Sequence, residues 1–280
     1  MVWFLISIVF LLFACYAIQV FGNIRFNELV KREVENIFKN TVFEDHGVIT
    51  EKNLSHLPEP VRKYLLKSGV IGKEKVKTVR LNQRAKIRLK PDARWFKHTT
   101  VQYFNAENPA YIWYANMPIV LGFSMKVRDK LFMGRGEMLG KLLSVFPIVH
   151  ANGVKIDQGA LARFVGEMVW FPSAFLNDYC KWEQIDDYSA KLNVSINGVD
   201  VEGIFTFDEN YYLKTFQCPR WMDSEDKEMK TYINYFEKFV YQNGIQIPVR
   251  GQAVWKLDNG EFIYWDGEIM EIEYNSMNQY

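Results

Sequence analysis

The residues best placed to do chemistry are Arg163 and Glu167, four apart in the stretch DQGALARFVGEMVWFPSA from Asp157 to Ala174. A guanidinium one helical turn from a carboxylate can orient a substrate headgroup or, if buried, tune an acid for proton transfer. On a wet helix face it is an ordinary solvated pair worth little, and that is the expectation here. Arg220 and Trp221, just after Cys218 and Pro219, could set a guanidinium over an indole, although plain surface packing would produce the same spacing. Asp186 and Asp187 are adjacent, so in a strand they face opposite ways and cannot easily share a proton; they read as turn formers. Ser224 and Lys227 meet the spacing of a serine–lysine nucleophile in a charged, loop-like stretch without its companion motifs, which favours coincidence. The four histidines, His46, His56, His98 and His150, are scattered, with no i, i+4 pair and no cysteine pair beside them, so no metal site is expected. Gly134-Arg135-Gly136 is too short a glycine signal for a nucleotide, and neither a nucleophile elbow nor a phosphate loop is present. No cofactor is implied.

These side chains need elements to hold them. Asp157 can cap a helix, Leu161, Phe164, Val165 and Met168 form an apolar stripe at i, i+3, i+4 and i+7, and Pro172 forbids continuation. The helix should lie on a sheet, with Arg163, Glu167 and Trp170 off the stripe at the rim of a cavity. Around it the period is two. Ala85, Ile87 and Leu89 alternate with Lys86, Arg88 and Lys90, and further strands are expected over Trp95 to Phe104, Ala110 to Met117, about Phe123 to Met133 and about Lys141 to His150. Beyond Pro172 come Cys180 to Ile185, Ala190 to Ile196, Asp200 to Phe207, Tyr211 to Cys218, Lys230 to Tyr241, Val249 to Leu257 and Phe262 to Glu273. Asn197-Gly198 between alternating runs is a hairpin signal, which makes the pairing antiparallel. Roughly ten to twelve strands with few helices define an α+β class: a large curved antiparallel sheet, half-barrel-like, packed on a few helices.

Ahead of that domain, residues 1–22 carry no charge and are long enough to span about 30 Å, so a transmembrane anchor is expected rather than a cleaved signal, which would begin with a basic region. Residues 23–56 read as a juxtamembrane helix, with Leu29, Val30, Val34, Ile37 and Phe38 at helical spacing, and a linker; residues 57–280 read as one β-rich domain, opened by a short helix with Pro60 in its first turn and Gly69 at its end. Leu12-Phe13-Ala14-Cys15 loosely resembles a lipidation signal, but bulky Phe13 and the apolar residues after Cys15 argue against it. Arg25, Lys31, Arg32 and Lys39 follow the span, a bias that would leave the domain on the cytoplasmic side, but large domains override it, so the side stays open. Cys180 and Cys218 could bridge or remain free thiols. With 34 basic and 33 acidic residues, the net charge of +1 gives no footprint for nucleic acid. The 49% hydrophobic and 16% aromatic composition is ample for a core.

Taken in order, LPEPVRKYL (Leu57 to Leu65), GRGEM (Gly134 to Met138), the Asp157 to Ala174 stretch, WEQIDD (Trp182 to Asp187) and IPVRGQAVW (Ile247 to Trp255) resemble a bacterial family of unknown function whose members often carry hydrophobic N-terminal segments. The resemblance covers about Leu57 to Trp265 and implies an architecture similar to the half-barrel of lipoprotein-carrier proteins, a curved sheet with a helical lid around an apolar cavity. It brings no catalytic residues with it. The expected function is a membrane-tethered binding protein for a lipid or other apolar ligand held between sheet and helix, with Arg163, Glu167, Trp170, Phe164, Met168, Trp113, Arg220 and Trp221 at the cavity. The alternatives are an enzyme on a membrane-associated or cell-envelope substrate, with Arg163, Glu167 and His150 around the reacting group, and a scaffold for a protein partner.

Overall fold

The computed structural model describes residues 2–39, 41, 43, 47–120 and 122–280, so Met1, His46, Leu121 and part of the stretch read as a linker lie outside the described residues. Alternation of inward and outward side chains gives two antiparallel meanders. The first comprises β1 (Thr78–Ile87), β2 (Phe96–Asn105), β3 (Ala110–Pro118), β4 (Ser124–Phe132), β5 (Arg135–Leu142) and β6 (Phe146–Asn152). The second comprises β7 (Cys180–Asp186), β8 (Ser189–Ile196), β9 (Val199–Phe207), β10 (Leu213–Arg220), β11 (Lys230–Gln242), β12 (Ile245–Leu257) and β13 (Gly260–Tyr274). They fuse into one 13-stranded sheet of order β6-β5-β4-β3-β2-β1-β13-β12-β11-β10-β9-β8-β7. The join is β1 on β13, with Val79 opposite Tyr274 and Ile87 opposite Trp265.

That order forces curvature. The chain leaves one sheet edge at β6 and enters the other at β7, linked by α4 (Val154–Glu167) and two 3₁₀ turns, Met168–Trp170 and Pro172–Leu176. A flat sheet of this size would be roughly 58 Å across at about 4.8 Å per strand, whereas a helix of 14 residues spans only about 21 Å. The edges are joined because the sheet bends into a half-barrel with α4 in its trough, against β4 and β5 on one wing and β9 and β10 on the other. Two glycines permit the close approach: a Cβ on Gly136 of β5 would lie 2.5 Å from the Ile156 carbonyl oxygen, and one on Gly166 of α4 would lie 2.5 Å from Asn234 Oδ1 and 2.8 Å from the Phe216 ring. Beneath α4, Leu161, Phe164, Val165 and Met168 are fully buried, as their spacing predicts, and the Phe104 and Phe171 rings meet at a tilt with centroids 5.0 Å apart.

The convex face is covered by α1 (Val2–Phe38), a single continuous helix. Its first half is apolar and exposed and is long and apolar enough to cross a membrane. Its second half packs Phe26, Val30, Val34, Ile37 and Phe38 on Tyr103, Ala110, Ile112 and Leu139. Between the halves two hairpin tips clasp the helix: Gln19 donates to the Gly122 carbonyl (3.0 Å) and accepts from the Ser124 amide (2.8 Å), and Ser144 donates to Asn23 (2.6 Å). Two short helices complete the inventory. After α2 (Glu51–Leu54), α3 (Glu59–Ser68) carries Pro60 in its first turn and ends on Gly69 at φ 78°, where the sequence sets its stop.

Three local expectations change. The long helix begins at Val154, not Asp157; the Asp157 carboxylate instead accepts from the Gly136 amide (2.7 Å) and Arg135 (2.8 Å), tying the helix to β5. The single strand expected over Lys141 to His150 is the end of β5, a turn and β6, with Leu143 and Ser144 at φ 51° and 60°. β1 stops at Ile87, which leaves Leu89 exposed rather than inward. Cys180 and Cys218 are both free thiols. Burial pushes the Cys218 thiol up to about 12 and the Cys180 thiol well above its usual value, so neither carries thiolate at neutral pH.

Candidate functional site

Inward positions of the first wing should be apolar, yet one row across it runs Gln102 on β2, Trp113 on β3 and Asp129 on β4, each opposite the next. These meet α4, which brings Arg163 and Glu167 down from one face. Arg163 Nη1 donates to Asp129 Oδ2 (2.8 Å), Arg163 Nε to Glu167 Oε1 (2.9 Å), Gln102 Nε2 to Glu167 Oε2 (2.7 Å) and the Tyr111 hydroxyl to Asp129 Oδ2 (2.9 Å). The guanidinium also lies over the rings of Tyr111 and Trp113, at 5.1 and 5.0 Å. Side-chain exposures of 15% for Arg163, 8% for Asp129 and 13% for Glu167 overturn the expected solvated pair: the trough walls α4 in on several sides and leaves it no wet face. Burial pushes the Glu167 carboxyl above its ordinary range despite the opposing pull of Arg163. Burial also works against the charge on Arg163, but Glu167, Tyr111 and Asp129 outweigh it and hold the guanidinium protonated.

Next to this closed network the concave face carries polar atoms without partners. Gln83 Nε2, His98 Nε2 and Trp113 Nε1 are buried and make no hydrogen bond. His98 and Trp113 meet edge to face at 6.0 Å, and burial lowers the imidazole pKa, so the ring is neutral at pH 7. At the other wing Arg220, on β10, sends its guanidinium over Tyr232 (4.6 Å) and Trp255 (5.6 Å), and its Nε and Nη1 are buried without an acceptor. A buried polar group normally finds a partner, and an unpaired charge costs far more than an unpaired amide. Arg163 is neutralised within the protein; Arg220 is not.

The other expected site residues divide. Trp113 joins the Arg163 network. Phe164 and Met168 are sealed in the core, where they touch protein. Trp170 is buried edge-on against Phe104, and its carbonyl accepts from Tyr274 (2.7 Å). Trp221 lies under Lys155 (4.7 Å), so of the two arrangements open for Arg220 and Trp221 the guanidinium-on-indole stack does not form between them; Arg220 lies over Tyr232 and Trp255 instead. His150 does not join Arg163 and Glu167. It pairs opposite Leu139 on the convex face and meets Glu137 at 3.3 Å, so the sheet separates it from α4. Asp129, Gln102, Tyr111 and Gln83 carry no motif in the sequence, and His98 reads there only as a scattered histidine; their signal is a polar side chain at an inward position of the alternation. Two clefts of about 530 Å³ each open beside α1, one toward the β3–β4 hairpin and one along Arg32 to Lys39, and neither lies under α4. Among the described residues no His, Cys, Asp and Glu cluster could hold a metal ion.

Fold and site together define a half-barrel whose trough is closed by one helix over a buried arginine–carboxylate network. The chain belongs to a family of unknown function (DUF6544), whose pattern matches residues 47–267. No curated protein matches it. Among solved structures it is similar to a LolA superfamily protein from Nitrosomonas europaea, at 11% identity and TM-score 0.42 over 77% of this chain and 94% of that one. It is also similar to an outer membrane lipoprotein-sorting protein domain from Vibrio parahaemolyticus, at 8% identity and TM-score 0.41 over 82% and 94%. What defines the half-barrel in this chain is its own strand order.

Proposed function

We propose that the chain is a membrane-anchored binding protein, held by the first half of α1, whose trough takes an amphipathic ligand with an anionic end. The observation that carries this reading is Arg220: a guanidinium walled by Tyr232 and Trp255, buried at Nε and Nη1, and without a partner of its own. A carboxylate or phosphate would supply the acceptors it lacks, and bidentate pairing is what a guanidinium does best. Aromatic walls such as Tyr232, Trp255 and Tyr264 suit the apolar part of such a ligand, since they offer large apolar area with few polar demands. Because Phe164 and Met168 already fill the space under α4, the ligand belongs at the Arg220 end of the trough, beside the helix rather than beneath its packed stripe.

The test is solvent extraction of the full chain purified from membranes, followed by mass spectrometry of the extract, with Arg220→Met in parallel. An acidic amphiphile recovered from the parent protein and depleted in a folded Arg220→Met supports the reading. Extracts equal to a detergent blank, or an unchanged yield from Arg220→Met, refute it.

A further inference from the structure

The cleft that opens toward the β3–β4 hairpin lies on the convex side, away from the trough. Its walls are Gln19 and Asn23 of α1 and the β3–β4 hairpin, with Tyr114, Asn116 and Ser124 supplying polar groups, and Lys126 is the one charged side chain among the described lining residues. Lys126 is 6% exposed; its amine donates to Asn27 (2.7 Å), and burial pulls its pKa down to about 8, as happens to a lysine without a counter-charge. Its cross-strand neighbour is Lys141, a like-charge pair that destabilises a sheet unless an anion intervenes. The carboxylates of that face, Glu33 and Glu137, are already taken by Arg128 and Lys130. At the mouth, Ile119 and Val120 of the hairpin tip are exposed beside Gln19, where the apolar half of α1 ends, and Phe146 and Ile148 on β6 are exposed as well. Apolar tips around a polar, cationic recess are the arrangement expected of a surface lying at a bilayer interface.

We propose that this cleft binds the phosphate of an anionic membrane phospholipid, with Lys126 as its cation, the side-chain amides of Asn116 and Asn23 as hydrogen-bond donors, and Ile119 and Val120 set among the acyl chains. The inference rests on α1 being a membrane anchor. It is independent of the trough ligand. A lipid so held would fix the depth and tilt of the domain, because the same residues of α1 that line the cleft are clasped by the hairpins.

The experiment uses the full chain in dodecyl maltoside and titrates the soluble lipid dihexanoyl-phosphatidylglycerol by calorimetry, against inorganic phosphate as competitor. Saturable binding that inorganic phosphate does not displace is expected. Lys126→Gln should weaken it about tenfold, the loss of one charge-assisted contact, while Lys126→Arg should retain it. Asn116→Asp, an exposed position that cannot disturb the core, should weaken it at least as much by placing a carboxylate in the cleft. Affinity unchanged from the parent chain in Lys126→Gln and Asn116→Asp overturns the site, and displacement by inorganic phosphate at the same concentration overturns the lipid as its source. Carbonate washing of expressing membranes tests the anchor separately: a chain released by carbonate refutes the anchor without touching the titration.

Discussion

Replacing Arg163 by Leu is the perturbation that most directly tests the buried network. The guanidinium sits 2.8 Å from Asp129 and 2.9 Å from Glu167, all three side chains being largely out of water, so its removal strands two carboxylates in a poorly hydrated space. Breaking a buried pair from one side costs about 3–5 kcal/mol. In a domain of this size that corresponds to a melting temperature lower by roughly 6–20 °C. The pH dependence gives a second signature. Glu167 has a folded-state pKa already raised by burial, so the folded chain binds the extra proton and stability falls as pH rises from the ordinary carboxylate range through that raised value. Without Arg163 the pKa rises further, and the deficit should be largest at pH 7 and shrink as pH falls toward 4.5. Glu167→Gln in the Arg163→Leu background should recover part of the loss, because an amide needs no counter-charge. Near-ultraviolet circular dichroism melts of the full chain in detergent between pH 4.5 and 8 read all of this. A deficit under about 1 kcal/mol, the scale of an exposed pair, or one that does not vary with pH would refute the buried network.

Three further outcomes follow from the packing. Phe164→Ala, at a fully buried ring beside Phe104 and Phe171, should cost about 3–5 kcal/mol in the same melts; a near-zero change would mean that α4 is not seated in the trough. Gly166→Ala should cost on the order of 1–3 kcal/mol by pushing α4 off Phe216 and Asn234, and faster proteolytic cleavage within α4 would report the displacement, whereas an unchanged melt and cleavage rate would refute the close approach. On the convex face burial opposes the charge of Glu137, yet Lys130 and Arg128 pull its carboxyl down to about 2. Its stabilising contribution, on the order of 1 kcal/mol because water screens this half-exposed carboxylate, is therefore present above the ordinary pKa and lost as pH falls from about 4.5 toward 2. Glu137→Gln should flatten that acid limb of the stability curve, and an unchanged limb would count against the pairing.

Much of the architecture is legible in the sequence because strand alternation and helix period are local. Asn197-Gly198 closes β8 onto β9 as a hairpin should, Pro60 and Gly69 bracket α3, and the apolar stripe of α4 is buried as spaced. The turn at Leu143 and Ser144 escapes notice because neither is a residue that favours positive φ, and the apolar run around them looks like continuous strand. The burial of Arg163 and Glu167 escapes for a different reason. A periodicity argument assigns polar residues to water, but a helix enclosed by a curved sheet has no wet face, and Gly159, Ala160, Ala162 and Gly166 on α4 are the clue that something approaches it from several sides. Gln102 and Asp129 sit at inward positions, where the alternation itself marks them as anomalies, but recognising them requires knowing which phase of the strand faces the trough. That phase is a tertiary fact.

The pairing of β1 with β13 has a consequence for biogenesis. The six strands of the first wing and the α1 helix behind them can assemble as soon as they leave the ribosome, but β13, the second partner of β1 beside β2, starts only at Gly260. At roughly 5–20 residues per second, β1 waits on the order of 10–35 s with an open edge. An open edge in a nascent chain invites the wrong strand. The side chains of β1 that point to the outer face, Arg80, Asn82, Arg84 and Lys86, are all polar and three of them are cationic, a row that repels a second copy of itself during the wait. When β13 arrives, Glu273 engages Arg80 and Asp266 engages Lys86, so the charges that keep intruders off the nascent edge become the ones that register the final strand.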